Sequence, residues 1–269
     1  MMDFIDRIGY DGGATPLEDT LAFAAEHGFH YVDFSAETGA NRVDNWPDDR
    51  LRAVRTVMDQ NEIAVTVHTA SSVNVAEFAP YVGEAVDAYL RGNIDLARRI
   101  TAHGVVVHGG MHFSSAVEAR MEAARDRLLR AVDYAESSGV SLFFENLNWE
   151  PDNAEVHYLG HTVEECHYFF DAIPSDRFGW AFTVNHANLV PEGINGFIDS
   201  LDVGRIGEVR LADNTGEVEV HLLPGQGNID FPATFRRLED AGYRGYYTMA
   251  FGSLDDKLAA RELFLGYGI

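Results

Sequence analysis

Glu145 closes an apolar run, Ser141-Leu-Phe-Phe, and is followed by Asn146, Leu147, Asn148 and Trp149. An unpaired carboxylate in an apolar setting is costly, so a strand carrying this run must end here and present Glu145 to a partner. Histidines offer such partners. His68 ends IAVTVH, His108 ends GVVVH with His112 four residues on, and His186 follows Asn185 in FGWAFTVNH. Farther along, Arg210 and Asp213 close IGEVRLAD, and Glu219 and His221 follow two residues apart. Imidazole nitrogens and carboxylate oxygens in this mixture suit Zn²⁺ or another borderline divalent ion such as Mn²⁺, with positions left for water or substrate. The structural alternative is Glu145 neutralised by Arg210 and hydrogen-bonded by Asn146.

Such residues act together only if the chain gathers them. Short apolar runs at 4–10, 29–35, 63–69, 104–109, 141–146, 178–184, 206–212 and 245–251 read as strands. Between them lie stretches with apolar residues at helical spacing, several closing on a glycine expected to cap a helix: Gly28, Gly104, Gly139 and Gly242. Eight strand–helix units over 269 residues point to one α/β domain, a (β/α)₈ TIM barrel spanning 1–269. In a barrel the chemistry sits at the C-terminal strand ends, where every residue named above falls. The Gly-rich DGGATP lacks G-x-G-x-x-G spacing, and no G-x-S-x-G turn occurs. Nucleotide redox chemistry and serine hydrolysis therefore lack a signature.

Composition bounds the setting. Forty-three acidic residues face 20 basic ones, a formal net charge of −23, and Lys257 is the only lysine. Self-repulsion of that size is relieved by salt, whose screening length falls to about 3 Å at 1 M. Acid-rich, lysine-poor composition points to a halophile's cytoplasm and away from nucleic acid, whose phosphates need clustered cations. No 18-residue apolar run and no basic-then-apolar leader occur, so no membrane association is expected. The single cysteine, Cys166, lies in a helical pattern and reads as a small core residue.

Taken in order, VHTASSVNVA, VVVHGGMH, LFFEN, TVNHAN, VRLADN and HLLPGQGNIDF resemble the xylose isomerase-like TIM-barrel superfamily, which holds sugar (phosphate) isomerases and epimerases and endonuclease IV. The resemblance implies a metal held by Glu, Asp, His and a second Glu, the two glutamates moving a substrate proton. Carried over, these positions read Glu145, Thr183, Arg210 and Ala250, so three of the four ligands are replaced. The ligand sets of the endonuclease branch survive as His68, His108 and Glu145, and as His186, Glu219 and His221.

The expectation that follows is an isomerase- or epimerase-like enzyme acting on a small sugar or sugar phosphate. Glu145, His186 and Arg210 would carry the chemistry, with Arg210 anchoring an anionic group. His112, Trp149, Asn185 and Asp213 would contact substrate, and Trp46 would offer an apolar face to a sugar ring. The alternatives are a non-catalytic ligand-binding barrel and a metal-dependent phosphodiesterase. The oligomeric state stays open.

Overall fold

The eight apolar runs become eight parallel strands in a computed structural model that describes residues 2–269. In chain order the strands are β1 (Ile8–Asp11), β2 (Tyr31–Ser35), β3 (Ala64–His68), β4 (Gly104–Val107), β5 (Met111–His112), β6 (Leu142–Glu145), β7 (His157–Tyr158), β8 (Phe178–Thr183), β9 (Ile206–Leu211) and β10 (Tyr246–Met249). The helices are α1 (Leu17–His27), α2 (Asp48–Asn61), α3 (Val82–Ile100), α4 (Val117–Ser138), α5 (Val163–Ala172), α6 (Val184–Ala187), α7 (Gly193–Ser200), α8 (Phe231–Asp240) and α9 (Leu254–Leu265). Hydrogen-bonded neighbours run β1, β2, β3, β4, β6, β8, β9, β10 and back to β1, which closes the expected barrel. Tyr10 pairs with Val32 on one side of β1 and with Met249 on the other.

Period-two alternation sorts each strand's side chains between two environments. On β3, Val65 and Val67 are fully buried and join the apolar layer between strands and helices, while Thr66 and His68 point the other way. The same split sets Asp33 between Val32 and Phe34, and Val209 between Glu208 and Arg210. Low in the barrel the interior is mixed: Val106, Phe143 and Ala181 form a separate small apolar cluster beside the buried Tyr31, Thr66 and Glu208. Above it the lining is charged and polar. That layer is the site.

Some expectations shift. Residues Phe4–Arg7 form a 3-10 turn rather than the start of β1. Gly28 and Gly139 are left-handed helix caps as expected, but α3 ends on Thr101 at φ 57°. Gly104 instead begins β4, where a Cβ would lie 2.3 Å from the Phe143 ring, so it is needed to admit that ring into the barrel. Gly242 lies one residue past the α8 cap at φ 94°. Two features escaped the sequence: the four-residue α6 directly after β8, and a two-residue antiparallel pairing of β5 with β7 in the segments that follow β4 and β6. Cys166 is fully buried in α5. No helix among the described residues is long and apolar enough to cross a membrane.

Candidate active site

His68, His108 and Glu145 end neighbouring strands β3, β4 and β6, and their tips meet. His108 Nε2 lies 2.9 Å from Glu145 Oε2 and 3.2 Å from His68 Nε2, and His68 Nε2 lies 3.5 Å from the same Oε2. The far ring nitrogens fix the tautomers. His68 Nδ1 donates to Asp33 Oδ2 at 3.0 Å. Thr69 Oγ1 gives its own proton to the Val106 carbonyl, so at 3.3 Å it can only accept from His108 Nδ1. With a metal bound, both neutral rings would aim their Nε2 lone pairs at one ion beside the carboxylate; without one, a proton on His68 answers the same charge. Ligands about 2.0–2.1 Å from a tetrahedral ion stand roughly 3.3 Å apart, and these three distances bracket that value. The donor set fits a divalent metal. Burial and the nearby Arg210 guanidinium depress the His68 pKa, but Asp33 and Glu145 outweigh them and raise it to about 10. Burial would lift Glu145, yet His108, His68 and Arg210 hold it well below the usual carboxylate range.

A second group repeats the logic. His186 on α6 donates Nδ1–H to the Asn146 carbonyl at 2.8 Å and turns Nε2 to Glu219 Oε1 at 3.3 Å. His221 donates Nδ1–H to the Ala250 carbonyl and places Nε2 2.8 Å from the same oxygen. Backbone carbonyls on the outer nitrogen are the usual support of metal-binding imidazoles. Burial would raise the Glu219 pKa, but His186 and His221 bring it down to about 2. The ligand atoms within each group lie within 4.8 Å of one another. The expected sets are thus both assembled, and both fit a divalent ion.

Between them stand the replaced positions. Thr183 donates its hydroxyl to Glu145 Oε1 at 2.6 Å. The buried Arg210 contacts Asp33, Glu208 Oε1 at 3.1 Å and Asp11 Oδ2 at 3.2 Å, and its Nε stands 3.7 Å from Glu145 Oε1. Its donors are committed to carboxylates of the chain itself, which is not the geometry of a free anion anchor. Asn146 does not bond Glu145: its side chain holds Thr183 and Trp180 instead. Glu145 therefore takes its close contacts from His108 and Thr183; of the structural alternative, the Arg210 pairing is present at 3.7 Å and the Asn146 bond is not.

The residues expected to touch substrate divide. His112 lies on β5, its ring 5.2 Å from that of His157 on β7. Trp149 is half-buried against the core. Asn185 is fully buried and donates Nδ2–H to Glu219 Oε1 at 3.1 Å, so it steadies the carboxylate that His186 and His221 share. Asp213 is fully buried too; its oxygens accept from the amides of Gly225, Gly227 and Ile229 at 2.9, 2.9 and 3.1 Å. It anchors a loop. Trp46 is buried, donates Nε1–H to the Asn41 carbonyl, and has the Arg50 guanidinium 3.7 Å above its ring; no face is left for a sugar. Sequence reasoning missed Asp33 and Thr69, which orient the two histidines. The clue was visible: an aspartate amid apolar neighbours in YVDFS can only face inward to a partner.

Comparison with known proteins agrees with this architecture. Residues 21–263 match the family described as xylose isomerase-like TIM barrel. An uncharacterized protein of Methanocaldococcus jannaschii is 26% identical over 257 residues, 93% of this chain and 84% of that one. A probable endonuclease 4 of Mycobacterium leprae is 26% identical over 74% of this chain and 77% of its own length. A 2-oxo-tetronate isomerase of Haemophilus influenzae is 22% identical over 94% of each. Among solved structures, a D-tagatose 3-epimerase-like protein superposes with a TM-score of 0.85 at 24% identity, covering 97% of this chain and 96% of that one. The chain belongs to the xylose isomerase-like TIM-barrel family.

Proposed function

We propose that the chain is a metal-dependent isomerase acting on a small sugar or sugar acid, or on a sugar phosphate. The observation that carries this is the convergence of His68 and His108 Nε2 on Glu145 Oε2. A divalent ion there, Zn²⁺ or Mn²⁺, would supply Lewis-acid polarisation of a substrate oxygen. Glu145 keeps its other oxygen beside the Thr183 hydroxyl and Arg210, and in this reading that side moves the substrate proton. A carboxylate held so low abstracts only an acidic proton, such as one beside a carbonyl. His186 and Glu219 close the opposite flank, and Arg210 acts by holding Asp33 and Glu145 in place.

Aldose–ketose isomerisation shifts a proton between adjacent carbons on one face and needs one such carboxylate. Epimerisation at a single carbon needs a second on the other face, and Ala250 stands where the family resemblance expects it. The chemistry of the site therefore favours isomerisation. The 2-oxo-tetronate isomerase of Haemophilus influenzae, similar along 94% of both chains, supports the same class. A phosphodiesterase reading rests on the survival of both His/Glu groups and on the likeness to a probable endonuclease 4. The net charge of −23 opposes it.

The test is metal content, by elemental analysis of protein purified in high salt without chelator, followed by assay of aldose–ketose pairs. Bound Zn²⁺ or Mn²⁺ together with interconversion that Glu145→Gln abolishes is the expected result. A metal-free parent sinks the metalloenzyme reading. Cleavage of DNA carrying an abasic site, without isomerisation, would move the assignment to the phosphodiesterase, and ligand binding without turnover to the non-catalytic barrel.

A further inference from the structure

Lys257 is the only lysine in the chain. It stands in the first turn of α9, 8% exposed, with Nζ donating to the Asp11 carbonyl at 2.8 Å and lying 5.6 Å from the centre of the Tyr10 ring. Among the described residues no carboxylate oxygen comes within 4.0 Å of it. That isolation stands out in a protein with 43 acidic side chains, whose other buried cations are paired: Arg7 with Glu239, Arg127 with Asp87, Arg210 with Asp33. Asp11, the nearest acid by sequence contact, spends its carboxylate on Arg210 and on the Gly13 amide. A shielded ammonium satisfied by one carbonyl is costly unless something else answers its charge.

A cavity of about 520 Å³ opens against this lysine, between the end of β1, helix α1 and the start of α9. Phe23 and Phe251 give it apolar walls, and Ser253 lies at its rim. It is also lined by Ala250 and by His221 of the second His/Glu group, so it borders the candidate active site at that residue. Asp19 also lines the cavity and is exposed on the first turn of α1, where it can accept from hydroxyl groups.

We propose that this cavity takes the far end of a small polyhydroxylated ligand, and that Lys257 makes the site select an anionic end group, a carboxylate or a phosphate. Apolar walls, hydroxyl acceptors and one buried cation suit a short sugar derivative with a single charged terminus. The inference rests on the sugar-isomerase reading for the rest of the ligand, but it can be tested without turnover.

Calorimetric binding to the full, metal-loaded chain would use three four-carbon probes: erythronate, erythrose 4-phosphate and the neutral erythritol. The parent is expected to bind at least one acidic probe about tenfold more tightly than erythritol, and which of the two wins identifies the end group. Lys257→Met is expected to erase that preference with erythritol binding and metal content unchanged, and Lys257→Arg to retain part of it. Equal binding of the three probes by the parent overturns the proposal. So does a preference that survives in Lys257→Met, because the anion is then held by the metal groups. Should Lys257→Met fail to fold, Phe23→Trp, which narrows the cavity from the opposite wall, must weaken the preferred acidic probe; unchanged binding there also overturns it. A metal-free parent that still discriminates acid from polyol would refute the metalloenzyme reading and leave this one standing.

Discussion

The two His/Glu groups share one design and differ in what holds them. In both, each histidine commits its outer nitrogen to a fixed acceptor and turns Nε2 to a common carboxylate. The first group, however, is built from strand ends: His68 and Glu145 are paired in the closed ladder and His108 follows directly on β4. The second takes His186 from a four-residue helix and Glu219 and His221 from the connection between β9 and α8, with His221 45% exposed in its side chain. That connection has no ladder beyond a single bridge of Asp213 to Leu222. It is kept in place by the three amides gathered on the Asp213 carboxylate. The same arrangement of two imidazoles and a carboxylate can therefore be held through a hydrogen-bonded sheet or through buried polar side chains beneath a loop.

If this contrast is right, the largest effect on the strand-built group comes from Asp33→Asn. Asp33 is fully buried and serves His68 and Arg210 through the same oxygen. Losing one partner of a buried charge network costs about 3–5 kcal/mol, and losing a histidine's outer support costs about 10–100-fold in metal affinity. Thermal unfolding should show the first effect and metal titration the second, confined to the first group. Unchanged metal binding would mean that the sheet alone positions His68 and that Asp33 is only a counter-charge for Arg210.

How much of this could be read beforehand follows the same divide. Strand ends were legible because an apolar run that stops on His or Glu states both the element and the direction of the side chain. His68, His108 and Glu145 thus converge as anticipated. Asp213 closes a strand in the same way, yet its carboxylate turns to its own following loop, and nothing in the pattern VRLAD tells a substrate contact from a loop anchor. The fate of Arg210 was hidden as well. Glu208 is two residues away on the same strand, but Asp33 and Asp11 lie 177 and 199 residues away in the chain, and only closure of the barrel brings them to it. Gly104 misled for a related reason: its duty is to a ring on the next strand, which local spacing does not reveal.

The loop-built group should respond to Asp213→Ala. Hydrogen bonds to a charged acceptor contribute about 1.5–3 kcal/mol each; a loop at the surface recovers part of that from water, so the net loss in stability should fall short of the Asp33 effect. Metal at the second group should weaken while the first group keeps its ion, a difference that metal titration of Asp213→Ala beside Asp33→Asn would read directly. Loss of both ions at once would show the groups to be one cooperative unit, and the contrast drawn above would fail.

The smallest effect is expected from Thr69→Val, which keeps the side-chain shape and removes the acceptor 3.3 Å from His108 Nδ1 together with the hydroxyl's bond to the Val106 carbonyl. His108 is fixed three other ways: it follows directly on β4, it is 1% exposed, and its Nε2 lies against Glu145. A neutral hydrogen bond of this length contributes about 1 kcal/mol, or roughly fivefold in an equilibrium constant, well under the loss assigned to the Asp33 carboxylate. Metal affinity of the first group should therefore fall about fivefold, with the second group unaffected. A loss as large as that of Asp33→Asn would mean that the acceptor's position rather than its charge sets the imidazole, and the ranking of the two supports would reverse. A small loss would place the strength of the first group where the strands put it, in the carboxylates that face into the barrel.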